Sequence, residues 1–277
     1  MTPAVVALVL CAAILHATWN AVLRSGSDRL WSITVMSLAM TVVALPFAVL
    51  LPLPAAPSWS YLFLSAGLQV GYSVFLVLTY RHAELGQAYP IVRGSVPLLV
   101  TLGAAVFAGE HLTALSLSGI ALVSFGIMSL AAKSGTGKRS VAAALVTGLF
   151  IASYTVTDGM GARLAGNAQA YAAWLCLIYG VLMPLVFVAV RGRLIIDRRS
   201  PETLRAAIGG IISLLGYAVV IWAMTLSPIG PVSALRETSI VFAALIGRVF
   251  LNEALTIRRL AACLGIAAGA FCLGYRP

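Results

Sequence analysis

Residues 31–52 read WSITVMSLAMTVVALPFAVLLP, a run without one charged side chain. A helix of this length spans about 33 Å at 1.5 Å per residue, enough to cross the roughly 30 Å hydrocarbon core of a bilayer. Lipid offers no hydrogen bonds, so only helices and closed barrels satisfy a spanning backbone. A barrel strand alternates polar and apolar residues, and this run does not. The reading is a transmembrane helix.

Working outward, nine more runs of similar character lie at roughly 3–23, 60–80, 87–108, 114–132, 141–161, 169–190, 204–226, 230–251 and 257–275. The 277 residues are 61% hydrophobic and 9% charged, with mean hydropathy +1.02. Soluble domains carry roughly 25% charged residues. The chain therefore reads as an all-α integral membrane protein of ten transmembrane helices. The first run lacks a basic start and a convincing small-residue cleavage pattern, so it reads as a retained helix, not a signal peptide. The net charge of +10 does not indicate nucleic acid, because the basic residues are spread over short loops and form no patch on a soluble scaffold. Cys11, Cys176, Cys263 and Cys272 fall inside the runs without metal-type spacing and read as small hydrophobes.

A polar joint at 133–139 divides the chain into 1–132 and 140–277. Shifting the first part by 143 positions sets Arg93 on Arg236, Phe107 on Phe250, Glu110 on Glu253, Thr113 on Thr256 and Gly126 on Gly269. A neighbouring shift of 145 pairs Gly71-Tyr72 with Gly216-Tyr217. Matched Leu and Val carry little weight here, but Arg and Glu are rare in such runs, and both recur in register. Each part holds five runs. Five is odd, so the second part enters the membrane from the opposite face: two inverted five-helix repeats, a design common among secondary transporters.

These residues resemble the drug/metabolite transporter superfamily, of the EamA type. The resemblance is carried by His16-Ala17-Thr18-Trp19-Asn20, by Ala88-Tyr89-Pro90-Ile91-Val92-Arg93-Gly94 and by Gly109-Glu110-His111-Leu112-Thr113. The second part contributes Ala234-Leu235-Arg236-Glu237-Thr238 and Asn252-Glu253-Ala254-Leu255-Thr256. It covers essentially the whole chain and is far more informative about fold than about substrate. It implies one cavity near the midplane, lined by helices one, three, four, six, eight and nine. Some small relatives couple to protons through a Glu in the first helix. No acidic residue occurs in this one, which argues against coupling of that kind.

Cytoplasmic loops collect Lys and Arg. Loops on the side of the termini carry Arg163 and Arg276. The opposite loops carry Arg24, Arg29, Arg81, Lys133, Lys138, Arg139, Arg191, Arg193, Arg198, Arg199, Arg205, Arg258 and Arg259. This asymmetry predicts both termini outside the cytoplasm in a multi-pass protein of the plasma or inner membrane.

Charge within lipid is costly and marks functional sites. Arg93 and Arg236 each lie about seven residues past the start of a run, roughly 10 Å deep. The two runs start on opposite faces, so the guanidinium groups are expected to flank the midplane. Their planar forks suit carboxylate or phosphate. Snorkelling to the headgroups, or an internal pair with Glu237, are the competing readings. His16 and Asn20 share a helix face with Trp19 beside them, as solute contacts or as interhelical glue. Tyr72, Tyr89, Tyr154, Tyr217 and Trp222 are candidate cavity aromatics, and Gln69 stands one turn before Tyr72. Glu110 and Glu253 precede Thr113 and Thr256, good helix N-caps, and read as matched turns. Gly265 and Gly269 permit close helix packing. Asp158, with Gly159 and Gly161, is expected near the surface at the end of the sixth run, as gate or loop.

HExxH, a phosphate-binding glycine loop and a nucleophile elbow are all missing from the sequence, and no Cys/His cluster suggests a metal. The expectation is a secondary transporter that moves a small anionic or zwitterionic metabolite, with export as the lean. It needs no cofactor and binds no nucleic acid. Its partners are the solute and the bilayer, and it is a monomer or homodimer. The substrate-binding candidates are His16, Trp19, Asn20, Gln69, Tyr72, Arg93, Tyr154, Tyr217, Arg236 and Glu237. The alternatives are an intramembrane enzyme using His16 and Asn20 on a lipid-linked substrate, and an uncoupled channel.

Overall fold

The computed structural model describes residues 1–26, 28–82, 85–131, 138–250 and 256–275. The joint at 133–137, Glu253 with its neighbours and Arg276 lie outside the described residues. The helices are α1 (Pro3–Ser25), α2 (Arg29–Leu50), α3 (Trp59–His82), α4 (Leu85–Phe107), α5 (Ala114–Met128), α6 (Lys138–Leu164), α7 (Ala168–Arg191), α8 (Pro201–Leu226), α9 (Ile229–Arg236), α10 (Ser239–Phe250) and α11 (Ile257–Gly274). No strand occurs among the described residues.

Local chemistry sets where the helices start. A short polar side chain just before the first turn accepts from otherwise unpaired backbone N–H groups. Thr2 caps Val5, Asp28 caps Leu30 and Trp31, Thr113 caps Ser116, Asn167 caps Gln169 and Ala170, Ser200 caps Glu202, and Thr256 caps Arg259. Thr113 and Thr256 are thus N-caps, as their spacing suggested. Gly192 ends α7 at φ 81 and Gly109 turns the chain into α5 at φ 63, left-handed conformations that only glycine adopts without strain.

Among the described residues seven helices are long and apolar enough to cross a membrane: α1, α2, α4, α6, α7, α8 and α11. This is a multi-pass membrane protein. Large apolar side chains point outward over much of the bundle, with Leu50, Phe63, Phe107 and Phe271 more than half exposed. In water these would be liabilities, whereas lipid solvates them.

The ninth run differs from expectation. It is not one helix but α9 and α10, parted at Glu237-Thr238, so among the described residues eleven α-helices make ten segments. The Glu237 N–H bonds Ala234 O at 3.1 Å and the Thr238 N–H bonds Leu235 O at 3.2 Å, three residues back and not four. The Thr238 hydroxyl also donates to Leu235 O at 2.7 Å. A side-chain donor on the ladder competes with the helical bond and bends the helix. The broken turn lies beside α1 and α4 in the interior.

Across the bundle α1 packs on α8, α2 on α7 and α8, α3 on α6, α4 on α5 and α6, and α5 on α11. Small residues permit these contacts. A Cβ added to Gly269 would stand 2.6 Å from Gly119 O, so α5 and α11 touch backbone to backbone. Gly269, the second glycine of the suspected pair, is therefore a packing position.

Candidate functional site

A cavity of ≈ 110 Å³ opens among α1, α2, α3, α6, α7, α8 and α9. Its polar wall comprises His16, Trp19, Gln69, Tyr72, Tyr154, Tyr217 and Arg236, with Ser37, Ser73, Tyr179 and Ser213. Met36, Met40, Leu175 and Val220 supply apolar surface. For scale, an engineered apolar cavity of about 150 Å³ admits benzene, so the space suits a small solute. Seven of the ten predicted site residues lie on this wall. Asn20, Arg93 and Glu237 do not, and no described side chain of α4 is among the lining. The fourth helix, expected on the lining, stands behind it in its described part.

What α4 contributes is Arg93, buried beside the break in the ninth segment. Arg93 Nε lies 2.8 Å from Glu237 Oε2. Alignment there is poor, so the contact is an ion pair without a directed hydrogen bond. Arg93 Nη2 reaches His16 Nε2 at 2.6 Å and Ser239 Oγ at 3.4 Å. Arg236 Nη2 donates to Glu237 Oε1 at 3.4 Å, and its buried Nε has no hydrogen-bond partner among the described residues. Glu237 is fully buried, so two guanidinium groups share one dry carboxylate. The arginines converge on Glu237, the internal pairing that stood among the competing readings, and of the two Arg236 borders the cavity.

His16 faces Arg93 through Nε2 and Trp19 Nε1 through Nδ1, at 2.6 and 3.2 Å. Arginine and tryptophan are donors only, and a neutral imidazole has one acceptor nitrogen. One contact can therefore be a true hydrogen bond, and the shorter one to Arg93 takes it. Trp19 instead meets the imidazole edge-on, with ring centroids 5.0 Å apart. With its one acceptor nitrogen turned to Arg93, His16 is poorly placed as a general base. Asn20 donates to His16 O at 2.8 Å, a bond within its own helix.

The remaining predicted residues divide cleanly. Tyr72 and Tyr154, both on the wall, pack against each other with ring centroids 5.9 Å apart. Gln69 donates to Tyr217 Oη at 2.9 Å, joining α3 to α8. Tyr89 is outside the wall, its ring centroid 5.9 Å from the Arg93 guanidinium carbon. Trp222 is 39% exposed and is not part of the wall.

Asp158 departs most from expectation. α6 runs on to Leu164, so Asp158 is interior to it and 1% exposed, not at the surface. Tyr171 Oη donates to its Oδ1 at 3.2 Å and Tyr217 Oη to its Oδ2. The helical spacing to Tyr154, i to i+4, was the available signal, because it puts both on one face. Glu110 is also more than a turn residue. It pairs with Arg163 at 2.6 Å and accepts from Ile229 N at 2.9 Å. Arg163 also bonds Met224 O and Ser227 O at 2.9 and 3.1 Å. This lash ties the α4–α5, α6–α7 and α8–α9 connections together on the side of the termini. On the opposite side the cavity wall continues to Leu23 and Ile33, where a second hollow of ≈ 310 Å³ shares Leu23 and Met36 with it.

Residues 138–275 match the model of the EamA-like transporter family. Through this half the chain belongs to that family. Among solved structures 29 chains match. One, described only as a crystal structure of a protein, superimposes with TM-score 0.79 at 20% identity, covering 98% of this chain and 96% of its own. That likeness is one of fold. No curated protein matches. An EamA-like transporter carries small solutes across membranes.

Proposed function

We propose that this EamA-like transporter is a secondary transporter working by alternating access on a small anionic or zwitterionic solute, held at Arg236. The observation that carries this reading is the sharing of one carboxylate, Glu237, by Arg93 and Arg236. Arg236 borders the cavity and keeps its buried Nε unpartnered. A buried unpaired donor is costly, and an anionic solute relieves it. Arg93 lies behind, holding Glu237 and His16 in place.

Two five-helix halves, 1–132 and 140–277 about the 133–139 joint and of inverted topology, supply the moving parts. Corresponding packings support this: α3 lies on α6 as α1 lies on α8. A broken helix beside the central cavity is a recurrent feature of such transporters. The Glu110–Arg163 lash closes the side of the termini, and the cavity extends toward the basic loops. With the termini outside, this is an inward-facing state.

The test is uptake into liposomes of matched carboxylic acids and their amides. Arg236→Lys keeps the charge but loses the planar fork. Acid uptake should fall at least tenfold more than amide uptake. Arg93→Lys should reduce both alike, because Arg93 stands outside the cavity. Equal loss for acid and amide in Arg236→Lys refutes the reading.

A further inference from the structure

Among the described residues the buried charged side chains are Arg93, Arg236, Glu237 and Asp158. The first three form one cluster. Asp158 stands apart with no ion-pair partner among the described residues. Only neutral donors hold it: Tyr171 from α7, Tyr217 from α8, and the Ser65 hydroxyl from α3. Arg236 acts on it only through longer-range attraction, and the other titratable neighbours are Tyr154 on its own helix and Cys176 on α7. A carboxylate in a membrane bundle without a cation is costly to keep and marks a functional site. Unlike Glu237, which reaches the cavity only through a cation, it reaches the cavity through a neutral hydroxyl. Tyr217 belongs to the cavity wall and donates directly to Asp158, while Gln69, also on the wall, donates to Tyr217.

We infer that Asp158 is a proton-exchange site of the transport cavity, loaded and emptied through the Tyr217 hydroxyl. In loading, Tyr217 passes its proton to Asp158 Oδ2 and takes one from a hydronium ion that reaches the cavity from bulk, which becomes water, so one proton enters and Tyr217 ends as it began. The consequence for transport rests on the anionic-solute reading above. With Asp158 ionised the four buried charges cancel. With Asp158 protonated, two arginines face one carboxylate, and the interior attracts an anion more strongly. Proton and anion thus favour each other's binding, which is reciprocal coupling between two sites.

The test is infrared difference spectroscopy on the purified full chain, mildly acidic minus mildly alkaline buffer. The wild type should show a protonated-carboxyl band that rises on acidification and shifts in heavy water. Asp158→Asn should lose that band, and Asp158→Glu should retain it at a shifted position. Tyr217→Phe should move it by removing a hydrogen bond. If Asp158→Asn does not fold, the Asp158→Glu shift decides alone. Identical difference spectra in wild type and the folded Asp158→Asn protein, or no shift in Asp158→Glu, overturn the proposal and leave Asp158 a fixed anchor for two phenols. This readout needs no solute, so its outcome is separate from that of the acid and amide uptake.

Discussion

Replacing Glu237 with Gln should destabilise the protein more than replacing either arginine that it serves. The reason is stoichiometric. Removing Arg93 leaves Glu237 with Arg236, whereas removing the Glu237 charge strands both guanidinium groups in a place where they are nearly fully buried. At an effective dielectric of about 20, contacts of 2.8 and 3.4 Å correspond to about 6 and about 5 kcal/mol of Coulomb attraction. Most of that offsets desolvation, and breaking a buried pair costs about 3–5 kcal/mol net. At about 2–4 °C per kcal/mol for a chain of this size, the midpoint should fall by about 6–20 °C. Thermal unfolding in one detergent, followed by circular dichroism, measures it. Arg93→Met should cost less, and adding it to Glu237→Gln should restore stability, with a coupling of about 0.5–3 kcal/mol. As control, Arg191→Met breaks the exposed Arg191–Asp28 pair at 3.5 Å and should cost under about 1 kcal/mol. A Glu237→Gln cost no larger than that control, or smaller than that of Arg93→Met, would refute the shared-carboxylate argument.

Other predictions follow from packing and closure. Gly269→Ala places a methyl 2.6 Å from Gly119 O and should cost about 1–3 kcal/mol in the same unfolding assay, whereas Gly265→Ala, nothing nearer than 3.9 Å, should be nearly neutral. Arg163→Met cuts the lash to Glu110, Met224 and Ser227, so a Ser213→Cys probe in the cavity should react faster with a membrane-impermeant thiol reagent added from the side of the termini. Unchanged labelling would mean that the lash is not the closure. A C-terminal reporter that fluoresces only in the cytoplasm should stay dark, and bright cells would show that the loop charges do not set the orientation.

The membrane class and the helix positions were legible in the sequence, because lipid imposes its requirement on each segment by itself. A span must be long, apolar and internally hydrogen-bonded, and a run such as 31–52 meets that condition without reference to any other. Thr113 and Thr256 as caps were legible for the same reason, since capping is settled within four residues. Arg93, Arg236, His16, Tyr72 and Tyr217 stood out as polar residues in apolar surroundings. Their grouping did not, because it depends on which faces of α1, α4 and the ninth segment meet. Only the tertiary structure decided that both arginines converge on Glu237 and that Arg236 also borders the cavity. It likewise decided that the ninth run breaks at Glu237-Thr238. It also placed Asp158 in the interior, where a few more residues of helix and the approach of Tyr171 and Tyr217 settle its burial. A pattern along one helix ranks its residues by polarity, but an electrostatic partner is fixed by distance across helices far apart in sequence.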